Sequence, residues 1–370
     1  MTDKINNTIN YNFNLNIYNN SCIINTDEIK NKNSIALNDY SNETTLTNIL
    51  CTRYGLIEMN LFLAKNIYAN NYITNIILLL NKEHGLNTVF CDIYGNYFIQ
   101  DLIHKMNRTQ IQLILDLVFH DFVSISKNNS GTHCLQELLN HISTVKMKYT
   151  ILNAIKKKEV EMIYDKNATY VLQKILLIIE DTKRIELNNI IIKNIFQFSM
   201  QHNSIYVLKI FIATANIIGN KKKVIEILSE FCIQISQNPF GNYVIQFVIE
   251  KWSIKDCGIL IKQIIRKANI LSCNKYSANV IDKALNYFDE KNRSKLISRL
   301  YLNRNILYLL NNKYGCCLLY KSINYMKIEK IKELETAYEN EFKNINFENY
   351  LKLKKLILCM KFKNDGNLGY

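Results

Sequence analysis

One ten-residue word recurs seven times along this chain. It reads "YGNYFIQDLI" from Tyr94, "SGTHCLQELL" from Ser130, "NATYVLQKIL" from Asn167 and "NSIYVLKIFI" from Asn203. "FGNYVIQFVI" follows from Phe240, "YSANVIDKAL" from Tyr276 and "YGCCLLYKSI" from Tyr314. The second residue is always small: Gly95, Gly131, Ala168, Ser204, Gly241, Ser277 and Gly315, at intervals of 36, 37, 36, 37, 36 and 38. A fixed period of this length marks an array of supersecondary units rather than a set of independent globular folds.

Each unit carries a helix start three residues before its small position: Asp92, Asn128, Asp165, Gln201, Asn238, Asn274 and Asn312. Asn and Asp there can accept hydrogen bonds from orphan N–H groups of the first turn, a cap worth about 1 kcal/mol. Pro239, the chain's single proline, follows Asn238 where a missing N–H does no harm. Apolar residues fall three, four, seven and eight places after the small position, as in Val171, Leu172, Ile175 and Leu176 or Val244, Ile245, Val248 and Ile249. That stripe is one buried helix face. A single unit cannot cover it, so the units must stack with one continuous core. The expectation is an all-α solenoid over 51–370, preceded by an Asn-rich, disordered arm over 1–50.

The total of 370 residues, 48% of them hydrophobic, supplies ample core. No apolar run approaches the ~18 residues of a membrane span, and "MTDKINNTIN" has no secretory pattern. Ten cysteines without a C-x-x-C pair read as a reduced, intracellular protein. The six histidines show no metal-like grouping, no phosphate-binding glycine loop appears, and no catalytic constellation stands out, so neither an enzyme nor a metal or other cofactor is expected. A formal charge of +14 points to an anionic partner, although the Asn-, Ile- and Lys-rich composition would enrich lysine everywhere.

Three positions lie off the core stripe. The first and fifth residues after the small one are i and i+4, so they share a helix face. The second runs Tyr97, His133, Tyr170, Tyr206, Tyr243, Asn279 and Cys317; the fifth runs Gln100, Gln136, Gln173, Lys209, Gln246, Asp282 and Tyr320. A solenoid that only filled space would not need an aromatic in five consecutive units. Rings at one per repeat can stack bases, worth about 1–3 kcal/mol each. Amides between them can meet base edges, discriminating by about 1–3 kcal/mol.

With these words the chain resembles the PUF (Pumilio-type) RNA-binding proteins over roughly residues 50–370, "GNYFIQ" and "GNYVIQ" being near-literal matches to that family's repeat. The resemblance implies a right-handed, crescent-shaped α-helical solenoid of about eight three-helix repeats, with single-stranded RNA antiparallel along the concave face. "YGCCLLY" becomes repeat 8 and "YGNYFIQ" repeat 2. A degenerate repeat 1 near Met59 ("MNLFLAK") acts as a structural cap, and a closing half-repeat occupies about 345–370.

Carried over, Asn96/Gln100 with Tyr97 and Asn242/Gln246 with Tyr243 read uracil. Thr132/Gln136 with His133 and Thr169/Gln173 with Tyr170 resemble adenine readers. Ala278/Asp282 with Asn279 stands where a guanine reader belongs, with a shorter acid and no hydroxyl. Ile205/Lys209 keeps the stacking ring of Tyr206 but no amide pair, leaving Lys209 for a phosphate or base acceptor. Cys316, Cys317 and Tyr320 lack the usual uracil set, Tyr320 alone remaining to contact a base. The implied target is 5′-(U)GUxAAU, in messenger RNA and usually its 3′ untranslated region. A monomeric cytoplasmic repressor that recruits deadenylation or translation factors is the leading expectation. The alternatives are a nucleolar relative binding pre-ribosomal RNA and a protein-binding HEAT- or armadillo-like solenoid.

Overall fold

The computed structural model describes residues 45–65, 70–341 and 347–364. The arm expected over 1–50 falls almost wholly outside the described residues. The compact helical unit begins at Leu46 rather than at 51. Its elements are all helices, with no strand among the described residues.

Three helices make one repeat. In repeat 4 they are Val145–Ile155, Glu159–Tyr164 and Ala168–Ile178. The third helices form a row: Arg53–Lys65, Gly95–Lys105, Gly131–Asn140, Ala168–Ile178, Ser204–Thr214, Gly241–Lys251, Ser277–Tyr287 and Lys313–Ile323. Each packs on the next, and the terminal helix Phe347–Asn364 packs on the last. This is the α-solenoid that the period implies, with eight third helices and a closing helix among the described residues. Tyr338 ties the closing segment to repeat 8 by donating from its buried hydroxyl to the Tyr301 carbonyl at 2.6 Å.

The expected caps form. Asp92 Oδ1 accepts from the Tyr94 and Gly95 N–H groups at 2.7 and 2.8 Å, and Asn238 Oδ1 from Phe240 and Gly241 at 2.8 and 2.9 Å. Asn128, Asp165, Asn274 and Asn312 repeat this geometry. The stripe residues Val244, Ile245 and Val248 are fully buried, as are Val171, Leu172 and Ile175. Burying each such side chain contributes roughly 1.5–3 kcal/mol, against about 1 kcal/mol for a cap. Packing therefore holds each helix while the cap fixes where it starts.

The small position has a cause that the sequence did not disclose. A Cβ on Gly241 would sit 2.5 Å from the Ile235 carbonyl oxygen, and one on Gly95 2.6 Å from that of Val89. The third helix crosses the second helix of its own repeat against a backbone carbonyl six residues back. Where serine replaces glycine, its hydroxyl donates to the equivalent carbonyl: Ser277 Oγ to Leu271 at 2.6 Å, and Ser204 Oγ to Phe198.

The same signature corrects repeat 1. Gly55 meets the Ile49 carbonyl in this way, so its word is "YGLIEMN" from Tyr54, not "MNLFLAK" centred on Met59. Gly55 stands 40 residues before Gly95, and the longer interval hid the register.

Candidate nucleic-acid interface

The third-helix row carries every residue singled out for base contact. Tyr97, Tyr170, Tyr206 and Tyr243 are each about half exposed, at 56, 47, 50 and 50%. His133, Asn279 and Cys317, in the same register, are exposed too. The rings are neither buried between repeats nor packed into the core.

The first-position residues behave differently. Asn96 and Asn242 are 4% and 1% exposed, and Thr132, Thr169 and Ile205 are similarly buried. Asn242 Nδ2 donates to the carbonyls of Asn238 and Pro239 at 2.9 and 3.0 Å, consuming both of its hydrogens. Its Oδ1 accepts from Gln246 Nε2 at 2.8 Å. Asn96 repeats the arrangement, donating to Asp92 and Ile93 and accepting from Gln100 Nε2 at 3.1 Å. The pair expected to face outward together is thus a buried amide holding a half-buried one. Gln100 Nε2 also reaches the Asn96 carbonyl at 3.3 Å, so the tether is double in repeat 2 and single in repeat 6, and in both it fixes which end of the Gln amide is the donor.

In repeat 3 the tether is looser. Gln136 Nε2 donates to the Thr132 carbonyl at 3.2 Å and reaches its hydroxyl at 3.4 Å. In repeat 4 Thr169 Oγ1 turns to the Lys166 carbonyl at 3.1 Å, and Gln173 is itself buried.

The departing repeats are also placed. Lys209 lies over the Tyr243 ring, 5.5 Å from its centroid, and burial pushes its ammonium pKa down. Asp282 is paired with Lys321 of repeat 8 at 2.5 Å, so its carboxylate already has a cation. Tyr320 is half-buried, and that burial pushes its phenol up. Cys316 beside it is half-buried, its thiol raised by the same cause.

Sequence reasoning missed two sets of residues. Asn60, five places after Gly55, holds the edge position of repeat 1 and donates to Asp101 Oδ2 at 2.9 Å. Lys166, Lys275 and Lys313 each stand two places before the small residue, exposed at the start of a third helix. Lys275 and Lys313 lie over the rings of Tyr276 and Tyr314 at 5.5 and 4.9 Å. Their common register was the available signal. The lysine runs at 156–158 and 221–223 instead meet acids away from this row, Lys156 pairing with Glu186 at 3.0 Å and Lys221 with Asp256 at 3.6 Å.

A stack of three-helix units, with an exposed ring in each of repeats 2 to 6 and an asparagine-tethered glutamine amide in repeats 2 and 6, defines an α-solenoid of three-helix repeats. The profile of the Pumilio-family RNA binding repeat matches residues 91–119, 121–156, 160–181, 231–265, 269–300 and 305–334. The chain belongs to the Pumilio (PUF) family of RNA-binding repeat proteins. It is similar to Pumilio homolog 11 of Arabidopsis thaliana, 25% identical over 287 residues that cover 75% of this chain and 50% of the relative. A Pumilio domain-containing protein of Schizosaccharomyces pombe is 24% identical over 249 residues, 67% of this chain and 36% of the relative. The chain thus spans about half or less of the length of these two curated relatives.

Among solved structures, the RNA-binding domain of yeast Puf5p bound to AAT2 RNA superposes with a TM-score of 0.71 at 18% identity, covering 87% of this chain and 97% of that one. The Puf4 RNA-binding domain bound to an HO endonuclease 3′ UTR recognition sequence gives 0.69 at 20% identity, covering 86% and 94%. These likenesses establish the fold.

Proposed function

We propose that this protein binds single-stranded messenger RNA sequence-specifically, one base per repeat along the third-helix row, and regulates transcripts through their 3′ untranslated regions in the cytoplasm. The observation that carries this reading is the Asn–Gln tether beneath an exposed ring in repeats 2 and 6. A free Gln amide rotates and can match either uracil or adenine. With one Nε2 hydrogen held by Asn Oδ1, the other donates to a uracil carbonyl, in repeat 2 by giving up its longer 3.3 Å bond to the Asn96 carbonyl, while Oε1 accepts from N3–H. Asn96 and Asn242 are then positioning residues, and Gln100 and Gln246 make the edge contacts, beside Tyr97 and Tyr243 as stacking platforms.

In repeat 3, Thr132 leaves the Gln136 amide less constrained and the pair accepts adenine beside His133; in repeat 4, Thr169 with the more deeply set Gln173 takes adenine beside Tyr170. Asp282 with Asn279 takes guanine weakly because Lys321 competes for the carboxylate. Tyr206 stacks in repeat 5, and Lys209 and Tyr320 make the remaining contacts. Lys166, Lys275 and Lys313 supply phosphate contacts, so affinity falls with salt. The RNAs bound by Puf4 and Puf5p support RNA as the ligand. The target is 5′-(U)GUxAAU, with repression or decay following recruitment of deadenylation or translation factors.

Selection from a random RNA pool tests this. Winners should carry two uracils four nucleotides apart, and motif-free or structured winners would refute single-strand readout. Asn242→Ser with Gln246→Glu should move the repeat 6 position from uracil to guanine, because the carboxylate accepts where the amide donated. Retained uracil preference would show the register to be wrong.

A further inference from the structure

The six histidines show no metal-like grouping in the sequence, but the fold makes one. His104 lies in the last turn of the repeat 2 third helix, and Glu137 and His141 lie in and just after that of repeat 3. Glu137 Oε1 is 3.0 Å from His141 Nε2 and 3.5 Å from His104 Nδ1. All three donor atoms lie within 4.8 Å of one another. The two rings meet edge to face, their centroids 5.7 Å apart.

We propose that His104, Glu137 and His141 bind a divalent transition-metal ion of the zinc class, clipping repeat 2 to repeat 3. Zinc takes imidazole nitrogen and carboxylate oxygen at about 2.0–2.2 Å in a tetrahedron, which sets donor atoms about 3.3 Å apart. The observed 3.0 and 3.5 Å edges bracket that spacing, so the ion needs only a small opening of the trio. The donor set of two imidazoles and one carboxylate is intermediate in softness and suits zinc rather than calcium or magnesium. Asn140 Nδ2 donates to the other oxygen, Glu137 Oε2, at 3.0 Å. This bond orients the carboxylate as outer ligands do in metal sites.

Exposure of His104 leaves the fourth position open to water. His104 is one helical turn beyond Gln100, so the ion would sit on the same strip as the edge residues while touching none of them. The site stands independently of the RNA reading.

The competing arrangement is a carboxylate that only accepts hydrogen bonds from two imidazoles. Titration of zinc chloride into the EDTA-stripped full chain at pH 7.5, followed by calorimetry, separates the two. The clip predicts one micromolar site that the His104→Ala/His141→Ala double variant lacks and that Glu137→Gln weakens by about 100-fold. Cobalt(II) should give tetrahedral visible bands without thiolate charge transfer, which excludes the cysteines as ligands. Because His104 is exposed, the single variant His104→Ala should fold as the parent does, and it must also lose affinity. An unchanged isotherm in these variants, a thiolate spectrum, or no heat up to millimolar zinc would overturn the proposal and leave the carboxylate bridge.

Discussion

Repeats 5 and 6 are neighbours with the same scaffold and different contents. Tyr206 and Tyr243 are equally exposed, and both third helices approach the carbonyl six residues back, through Ser204 in one and Gly241 in the other. Yet repeat 6 carries the complete Asn–Tyr–Gln set, whereas repeat 5 has Ile205 and Lys209. The family profile ends at residue 181 and resumes at 231, skipping all three helices of repeat 5 and the first helix of repeat 6. The exposed ring belongs to the scaffold and is kept in both repeats, while the Asn–Gln pair is a separable addition.

The contrast extends into the core. Entering repeat 5, Asp181, Arg184 and Asn188 form a buried polar cluster. Arg184 is 1% exposed and donates to the carbonyls of Leu176 and Ile179 and to Thr214 Oγ1, the latter two bonds both at 2.6 Å. Asp181 Oδ2 accepts from the Asn216 and Ile217 N–H groups at 2.9 Å, so one acid joins the end of repeat 4 to the start of repeat 6. After repeat 6 the corresponding positions are Ile254, Cys257 and Ile261, an apolar solution to the same junction. Cys257 is buried there, and that burial pushes its thiol up to about 12.

The largest effect is expected at this junction. Asp181 Oδ1 lies 3.7 Å from Arg184 Nη2, so Asp181→Ala leaves the buried guanidinium without its counter-charge and should cost about 3–5 kcal/mol, read from urea unfolding. Replacing all three residues with an apolar set (Asp181→Ile, Arg184→Met and Asn188→Ile) should recover most of that loss, as buried ion pairs are often matched by packed hydrophobic groups. If the triple variant stayed as unstable as Asp181→Ala, the two junctions would not be interchangeable solutions.

A gain of function at repeat 5 comes next. Ile205→Asn with Lys209→Gln copies the repeat 6 tether beneath Tyr206 and should create uracil preference at a base that was unselected, worth about 1–3 kcal/mol. Competition binding with the four single-base variants of one RNA measures it. Equal affinity for all four bases would mean that ring and amide are not separable.

These cases show why the sequence was legible in some places and opaque in others. The repeat, the caps and the stripe obey short-range rules, so residues such as Asn238 and Val244 announce their roles locally. Asn242 did not: helical spacing put it beside Gln246, but only the fold reveals that two carbonyls of the preceding turn claim its amide hydrogens. The Asp282–Lys321 pair and the His104–Glu137–His141 trio likewise join residues of adjacent repeats, where one-letter patterns carry no distance. Repeat 1 was misplaced because its spacing of 40 breaks the period on which the whole alignment rested.

The smallest effect sits beside the largest. Glu180 adjoins Asp181 but stays half exposed, 3.0 Å from Lys148. Its own backbone N–H, then the Lys148 ammonium, lower its carboxyl pKa to about 2. A depressed carboxyl stabilises the fold above its unfolded value near 4.3 and loses that contribution as pH falls toward 2. Solvent screens the pair, so Glu180→Gln should cost under about 1 kcal/mol at pH 7, and the difference from the parent should vanish near pH 2. Urea midpoints at both pH values, with and without added salt, give the answer. A loss that matched Asp181→Ala, or that persisted at pH 2, would mean that burial is not what separates these two neighbouring acids.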